Sequence, residues 1–323
     1  MEHQSAGSGH GGVLEPPVFI LSCARSGSTL LRYVVDTHPE VCCPVELNLG
    51  PLCAHLRVAV GGTLGEAFDA DADEREKERA VMAEVRRIIL DLMGSYAAAR
   101  QRRLWCEKSP ANVRYRELLH EVFPDARFIC LYRNCMDVVY SLIEFSRLSF
   151  FDDLLHYVQK NPRNLVEAMI DYWVGQTTRL LAFERQHSAK CLRVKYEALV
   201  LYPRQTLESL TAFLRVEGDP GLLDKIFSTP HHLDGGGDRK IRVTDKIHKS
   251  SIGRGSSVPL KYISDDTLRT MNRLLSELEY PPVGPDWNRA PSPYLAADST
   301  TEESETTIRV EDGLRSSPRY SYD

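Results

Sequence analysis

A short polar turn separates an apolar run from a helical pattern near the start of the chain. Val18–Cys23 (VFILSC) is continuously apolar, which is typical of a strand buried on both faces. The turn is Ser22–Thr29 (SCARSGST), and the apolar spacing that follows predicts a helix over Thr29–Asp36. Such a turn directs several backbone N–H groups at one point, with the helix dipole behind them. These residues therefore predict an anion-binding site, and an ordinary strand–turn–helix connection with Ser and Thr caps is the alternative.

The pattern GxxxxGK[ST] of nucleoside triphosphate-binding loops differs from this turn. Gly27 and Thr29 keep its second glycine and its hydroxyl, whereas Ser22 replaces the first glycine and Ser28 replaces the lysine. Triphosphate-binding enzymes use that lysine on the β- and γ-phosphates together with Mg²⁺. Here the positive charge belongs to Arg25, inside the turn. The sequence therefore favours an anion that is bound without a metal, and it disfavours ATP.

A second pair of residues could bind another anion. The apolar run Arg127–Tyr132 (RFICLY) ends in Arg133, and Ser141 follows eight residues later in a predicted helix. An arginine leaving a strand and a serine two turns into the next helix can close on one phosphate. The strand also lacks the aspartate that P-loop enzymes carry there to bind Mg²⁺. Two anion sites suit a bisphosphorylated nucleotide better than ATP.

Alternating strands and helices position these residues. Strands are predicted at Val18–Cys23, Val41–Cys43, Leu104–Cys106, Arg127–Tyr132 and Cys191–Lys195. Helices are predicted at Thr29–Asp36, Arg79–Arg100, Ser109–Val122, Asn134–Phe145, Leu165–His187, Pro203–Leu214 and Ser264–Glu279. This alternation predicts βαβ units and hence an α/β fold with a parallel sheet.

Two internal regions and both ends of the chain lack such periodicity. Gly61–Glu78 is rich in Gly, Ala and charge and is interpreted as a loop or insertion. Ser228–Lys261 is rich in Gly, His, Lys and Arg, and an irregular stretch of that length is usually functional. Residues 1–16 and 286–323 are predicted to be disordered, which leaves one domain over 17–285.

Composition excludes several classes of protein. The chain has 323 residues and a net charge of −5, of which −4 falls in Asp298–Asp323, so the remainder is nearly neutral. A protein that coats nucleic acid or a membrane surface would need a basic excess. No apolar run reaches membrane-spanning length and no secretory signal is present, so we expect a cytoplasmic protein without stable membrane insertion. The eight scattered cysteines form no CxxC pair, which favours reduced thiols over zinc ligands.

The turn Arg25-Ser26-Gly27-Ser28-Thr29-Leu30 resembles the 5′-phosphosulfate-binding motif of the sulfotransferases that use 3′-phosphoadenosine-5′-phosphosulfate (PAPS). In that family, an arginine and a serine spaced like Arg133 and Ser141 bind the 3′-phosphate. The resemblance implies a three-layer sandwich with a central parallel sheet, similar to the P-loop nucleotide hydrolases. It also implies in-line transfer of a sulfuryl group from PAPS to a hydroxyl, leaving 3′-phosphoadenosine-5′-phosphate (PAP), with no metal required.

Two later segments also resemble the family. Tyr196 matches a tyrosine that contacts the adenine, and a tyrosine that anchors a loop is the alternative. Lys246–Gly255 (KIHKSSIGRG) is similar to the basic loop that closes over the 3′-phosphate. Within it Arg254 and the Gly255 backbone are the favoured ligands, with Lys249 and Ser251 as alternatives.

Sulfuryl transfer needs a base for the acceptor's proton and a cation for the leaving oxygen. Glu46 matches the catalytic glutamate of the tyrosylprotein branch, although its surroundings are CCPVELN rather than Cys-Gly-Glu-Glu. Lys108 matches the lysine of a Lys-(Ser/Thr/Asp)-Pro segment that points at the bridging oxygen, and a solvated lysine paired with Glu107 is the alternative. Arg25 completes the predicted catalytic set.

The acceptor follows less directly from the sequence. We expect a hydroxyl of a small molecule, glycan or lipid, in a pocket shaped by Gly61–Arg100 and Ser149–Asn164. In the latter stretch, Phe150, Phe151 and Tyr157 either line the acceptor site or pack in the core. Protein-tyrosine sulfation, a P-loop kinase and a non-catalytic nucleotide-binding protein are the alternatives, and a homodimer is left open.

Overall fold

The computed structural model describes residues 15–65, 73–146, 151–231 and 238–288. Five parallel strands form one sheet in the order β2-β3-β1-β4-β5. The strands are β1 Val18–Ser22, β2 Val41–Cys42, β3 Leu104–Lys108, β4 Arg127–Tyr132 and β5 Cys191–Lys195. The helices are α1 Ser28–Thr37, α2 Leu49–Gly65, α3 Glu74–Ala99, α4 Arg116–Val122, α5 Cys135–Ser146, α6 Asp152–Lys160, α7 Leu165–Gln186, α8 Tyr196–Leu201, α9 Pro203–Leu214, α10 Leu222–Lys225 and α11 Asp265–Glu277. The predicted α/β fold with a central parallel sheet is confirmed.

The central strand β1 pairs with β3 on one side and β4 on the other, and every residue of these three strands is buried. Strands buried on both faces explain why their sequences are continuously apolar rather than alternating. Because all strands are parallel, their carboxyl ends lie at one edge of the sheet. That edge carries the polar turn after β1, Lys108 at the end of β3 and Arg133 after β4.

Each face of the sheet packs against its own layer of helices. Phe19 and Leu21 of β1 belong to one apolar cluster, and Val18 and Ile20 belong to the other. This alternation follows from the two-residue period of a strand. The result is the three-layer sandwich that the family resemblance implies.

The predicted loop over Gly61–Glu78 is wrong in its described parts. Helix α2 runs through Gly61 and Gly62, and α3 begins at Glu74 with Asp73 as its N-cap, so only residues 66–72 lie outside the description. Glycine is a poor helix former, but tertiary packing overrides this preference. Helix α2 packs along α3 and buries Leu49 and Cys53 in the core. Helices α6 and α8 were also absent from the sequence prediction.

The late irregular stretch remains without long elements where it is described. It contains short 3₁₀ turns at Arg239–Val243, Lys249–Ser251, Arg254–Ser257 and Leu260–Tyr262. The predicted disorder of residues 1–14 and 289–323 falls outside the described residues, as does Phe150. Within the described ranges, no helix combines the length and the apolar character that crossing a bilayer requires.

Candidate active site

A cavity of about 910 Å³ opens at the carboxyl edge of the sheet. Ten of the sequence-predicted site residues line it: Arg25, Gly27, Ser28, Thr29, Leu30, Glu46, Arg133, Ser141, Tyr196 and Arg254. Ser26, Lys108 and Gly255 are buried behind this lining. The parallel sheet therefore brings together residues that lie more than 200 positions apart in the chain.

The turn after β1 is shaped by two left-handed residues. Arg25 has φ +67° and Gly27 has φ +88°. A Cβ added to Gly27 would lie 2.2 Å from Cδ2 of Tyr196, so only glycine lets the tyrosine ring lie against the turn. Gly27 caps α1 without a side-chain hydrogen bond. The first N–H groups of α1 lack partners in the preceding turn of helix, which suits an anion at this end of the helix.

Arg25 connects the two predicted anion sites. Its Nε donates to Ser141 Oγ at 3.2 Å, and its backbone carbonyl accepts from Arg133 Nη1 at 2.9 Å. Ser141 therefore contacts Arg25, and both Arg25 and Arg133 lie at the same wall of the cavity. The Arg25 guanidinium also lies 5.2 Å from the centre of the Phe145 ring.

Arg133 lies over the Tyr196 ring, with its guanidinium carbon 4.3 Å from the ring centre. Its Nη2 donates to the Ser251 carbonyl at 2.6 Å, and Tyr196 forms a 2.8 Å hydrogen bond between its hydroxyl and Ser251 Oγ. Arg133 Nε and Ser26 Oγ are buried and find no partner among the described residues. Buried polar atoms normally have partners, so these two orphans fit a site built for a polar ligand.

The late loop contributes Arg254 and Ser251 to the cavity wall, whereas Gly255 has a different part. The Gly255 N–H donates to Asp137 Oδ1 at 2.7 Å, and Gly253 N–H donates to Asp137 Oδ2 at 2.9 Å. A Cβ on Gly255 would lie 2.4 Å from the Met136 carbonyl carbon. Gly255 therefore lets the loop pack tightly on α5, and its N–H points at Asp137 instead of the cavity.

Lys108 and Glu46 form an ion pair at the cavity wall. The lysine is 1% exposed, while the glutamate side chain is 22% exposed and lines the cavity. The solvated lysine considered from the sequence is therefore wrong. The Glu46 carboxylate reaches the cavity and can accept a proton there, while the buried Lys108 ammonium supplies a positive charge beside it.

Part of the cavity wall is aromatic and acidic. It consists of Tyr115, Phe145, Phe151, Asp152 and Asp153. Burial raises the pKa of Asp153, and Arg114 lies 3.7 Å from its carboxylate.

Two of the three aromatic residues predicted near the acceptor are among the described residues, and their surroundings differ. Phe151 lines the cavity and packs against Tyr172. The Tyr157 ring contacts Tyr172 edge-on and its hydroxyl accepts from Arg179, so it packs against the core and is not part of the cavity lining. Core packing, the alternative given for these aromatics, therefore holds for Tyr157.

Sequence reasoning missed Asp238. Its carboxylate pairs with Arg25 Nη2 at 2.8 Å, and its N–H donates to Thr29 Oγ1 at 3.0 Å. An acid within a Gly- and Lys-rich loop carried no signal by itself. Only the fold brings this loop across the turn after β1.

Comparisons with known proteins show the family to which the chain is related. A model of the sulfotransferase family matches residues 16–220. The chain is 26% identical over 273 residues to protein-tyrosine sulfotransferase 2 of Gallus gallus, covering 83% of this chain and 70% of that protein. It is 28% identical over 258 residues to protein-tyrosine sulfotransferase A of Caenorhabditis elegans, covering 78% of this chain and 60% of that protein.

A bacterial relative and a solved structure extend the comparison. Nodulation protein NoeE of Sinorhizobium fredii is 26% identical over 248 residues, covering 72% of this chain and 58% of that protein. The sulfotransferase domain from the curacin biosynthetic pathway superposes with a TM-score of 0.60 at 23% identity, covering 83% of this chain and 99% of that domain. This superposition shows the fold that the two chains share.

Proposed function

The chain belongs to the sulfotransferase family, whose donor is PAPS, and we propose that it uses this donor to sulfate a hydroxyl of a small molecule, glycan or lipid. The observation that carries the proposal is the hydrogen bond from Arg133 to the Arg25 carbonyl. It holds the two arginines near the N-terminus of α1, where both line the same cavity. Two fixed guanidinium groups and a helix N-terminus suit a nucleotide that carries an anion at each end.

In this proposal, different residues of the cavity wall bind different parts of PAPS. The turn Arg25–Leu30 would hold the 5′-phosphosulfate, and Arg133, Ser141 and Arg254 would hold the 3′-phosphate. Tyr196 would contact the adenine, because it lines the cavity and its position is fixed by Gly27, Arg133 and Ser251. The buried, unpartnered Arg133 Nε supports a polar ligand at this point.

The proposed chemistry is a single displacement at sulfur. The acceptor oxygen forms a bond to sulfur while the bond from sulfur to the bridging oxygen breaks, and that oxygen keeps the electron pair. Glu46 takes the acceptor's proton, and Lys108 and Arg25 stabilise the negative charge on the departing phosphate. The Lys108–Glu46 ion pair supports this assignment, since it keeps a cation directly behind a proton acceptor that lines the cavity.

A turnover assay with PAPS and a panel of acceptors tests the proposal. We expect Glu46→Gln to lower kcat by about 10²–10⁴-fold, because a general base is lost. Lys108→Ala and Arg25→Ala should each cost about 10²–10³-fold, because charge on the leaving oxygen is no longer stabilised. Glu117→Gln, on α4 outside the cavity, serves as the control. Full activity in Glu46→Gln would contradict the base assignment, and full activity in all three would contradict the mechanism.

The acceptor class rests on the aromatic residues of the cavity wall. Phe145, Phe151 and Tyr115 line the cavity and offer aromatic surface to an apolar or sugar-like group. Protein-tyrosine sulfation is the second candidate, because several relatives carry the name protein-tyrosine sulfotransferase. The panel should therefore include phenols, glycolipids and tyrosine-containing peptides, with the sulfated product detected by mass. Turnover of peptides alone would overturn the first choice.

The same assay addresses the two remaining alternatives from the sequence. A P-loop kinase would turn over ATP with Mg²⁺, and a non-catalytic binder would bind PAP without forming a product from any acceptor. Membership of the sulfotransferase family argues against both.

We also propose that the protein acts in the cytoplasm. All eight cysteines are free thiols and seven are buried, which is typical of a reducing compartment. Cell fractionation with an antibody tests this location, and recovery from a secretory or extracellular fraction would contradict it.

A further inference from the structure

The segment that follows Glu46 is held by three buried side chains, Glu107, Ser109 and Asn112, called here the Glu107 cluster. Leu47 N–H donates to Glu107 Oε1 at 3.1 Å. Asn48 N–H donates to Ser109 Oγ at 2.9 Å, and Gly50 N–H donates to Asn112 Oδ1 at 2.9 Å. Each member of the cluster is 0% exposed. Three closely spaced contacts therefore fix the backbone directly after the proposed base.

Glu107 sets the direction of all three hydrogen bonds. Its carboxylate accepts from the Ser109 hydroxyl and from Asn112 Nδ2 as well as from Leu47. Because the Ser109 proton is given to Glu107, its lone pairs face the Asn48 N–H. Because the Asn112 amide nitrogen donates to Glu107, its carbonyl faces Gly50. A side chain that only accepts is therefore needed at position 107.

The held segment contains a left-handed residue. Asn48 has φ +54°, a conformation that is uncommon outside glycine and that asparagine adopts more often than most other residues. Two neighbouring residues of β3 contact two neighbouring residues of the chain at the start of this turn: Lys108 pairs with Glu46, and Glu107 accepts from Leu47 N–H. The position of the Glu46 carboxylate is thus coupled to the cluster through a single residue.

We propose that Glu107 is a positioning residue for Glu46, acting through Ser109 and Asn112 to hold the turn at 47–50. The inference rests on the proposed function, because it requires Glu46 to be the base. Glu107 contacts neither the cavity nor the reacting groups. Its role is to keep the Glu46 carboxylate at the attacking oxygen, where a displacement of about 1 Å can cost about a hundredfold in rate.

The test is a double-mutant cycle on purified protein, with Glu107→Gln, Glu46→Gln and both together. In Glu107→Gln the introduced amide NH₂ would face groups that themselves donate hydrogen bonds to position 107. We therefore expect the turn to shift and kcat to fall about tenfold to a hundredfold. The Kd for PAP, measured by calorimetry, should stay within about twofold, because Glu107 contacts none of the residues proposed to bind the nucleotide. In the Glu46→Gln background, Glu107→Gln should lower kcat no further.

Glu184→Gln is the matched control for removing a carboxylate that the fold uses. Glu184 accepts from the Tyr132 hydroxyl and from Arg193, away from the cavity, so kcat should be unchanged even if Tm falls. If Glu107→Gln does not fold, Asn112→Ala replaces it, since it removes only the acceptor of Gly50 N–H and the donor to Glu107.

The outcomes separate this inference from the proposed function. Unchanged kcat in Glu46→Gln would overturn the proposed base. A large loss in Glu46→Gln with unchanged kcat in Glu107→Gln would overturn only the positioning role. An equal loss from Glu107→Gln in both backgrounds, or a parallel loss of PAP affinity, would also overturn it, because Glu107 would then act on the fold and not through Glu46.

Discussion

At the scale of single residues, the site depends on contacts that cross the two predicted anion sites. Arg25 donates to Ser141, which the sequence assigns to the other site, and its carbonyl accepts from Arg133. The residue types and their positions after buried strands were predictable, because chemistry and strand ends are visible in the sequence. The pairing among them was not, since it depends on side-chain directions that only the packed fold sets.

Gly27 offers a sharp test at this scale. We expect Gly27→Ala to weaken PAP binding by at least about tenfold, because an L residue at φ +88° is strained and its Cβ would overlap the Tyr196 ring. Isothermal titration with PAP measures the loss. Gly62→Ala is the matched control, since nothing lies within 4 Å of the added Cβ, and there we expect unchanged affinity. Equal affinity in the two variants would show that the Tyr196 ring does not constrain the turn.

At the scale of elements, the sequence predicted the strands better than the helices around them. β4 and β5 have the predicted bounds, and in β4 the apolar run Phe128–Tyr132 leaves little choice. Helix α2 was missed, since its glycines disfavour a helix locally and packing on α3 decides the outcome. The late loop was correctly predicted to be irregular, but its attachment to α5 through Asp137 has no local signature.

That attachment predicts the behaviour of Asp137→Asn. The asparagine amide would face an N–H of Gly253 or Gly255, so we expect the loop that carries Arg254 to loosen and PAP affinity to fall about tenfold to a hundredfold. Titration calorimetry measures the affinity. The control is Asp219→Asn, which alters an aspartate that also accepts a loop N–H, from Gly221, away from the cavity. If both variants bind PAP like the unmodified protein, the attachment of the late loop to Asp137 does not contribute to nucleotide binding.

At the scale of the whole molecule, buried carboxyls link distant parts of the chain. Glu197, directly after β5, accepts from the Asn134 N–H after β4 and from the Tyr280 hydroxyl near the end of the described chain. Burial raises the pKa of Glu197 above its usual range. The folded protein therefore keeps this proton at a pH where the unfolded chain has lost it.

The sign of the pH dependence follows from linkage. The contribution of Glu197 to stability is fully present below its unfolded pKa of about 4.3 and is lost as the pH rises through the raised folded value. We expect the free energy of unfolding of the unmodified protein, relative to Glu197→Gln, to fall as the pH rises above about 4. Urea titrations of both proteins across this range measure it. A difference that grows with pH would mean that the two hydrogen bonds outweigh burial.

The strand order has a consequence for how the protein is made. β1 is synthesised first, yet its partners in the sheet begin at residues 104 and 127. At a translation rate of about 5–20 residues per second, the apolar strand waits roughly 4–20 seconds on the ribosome before either neighbour exists. Its five apolar and small residues must be kept from wrong partners during that interval. The sheet around β1 can therefore form only after residue 104 has been synthesised, although the finished sheet hides the strand completely.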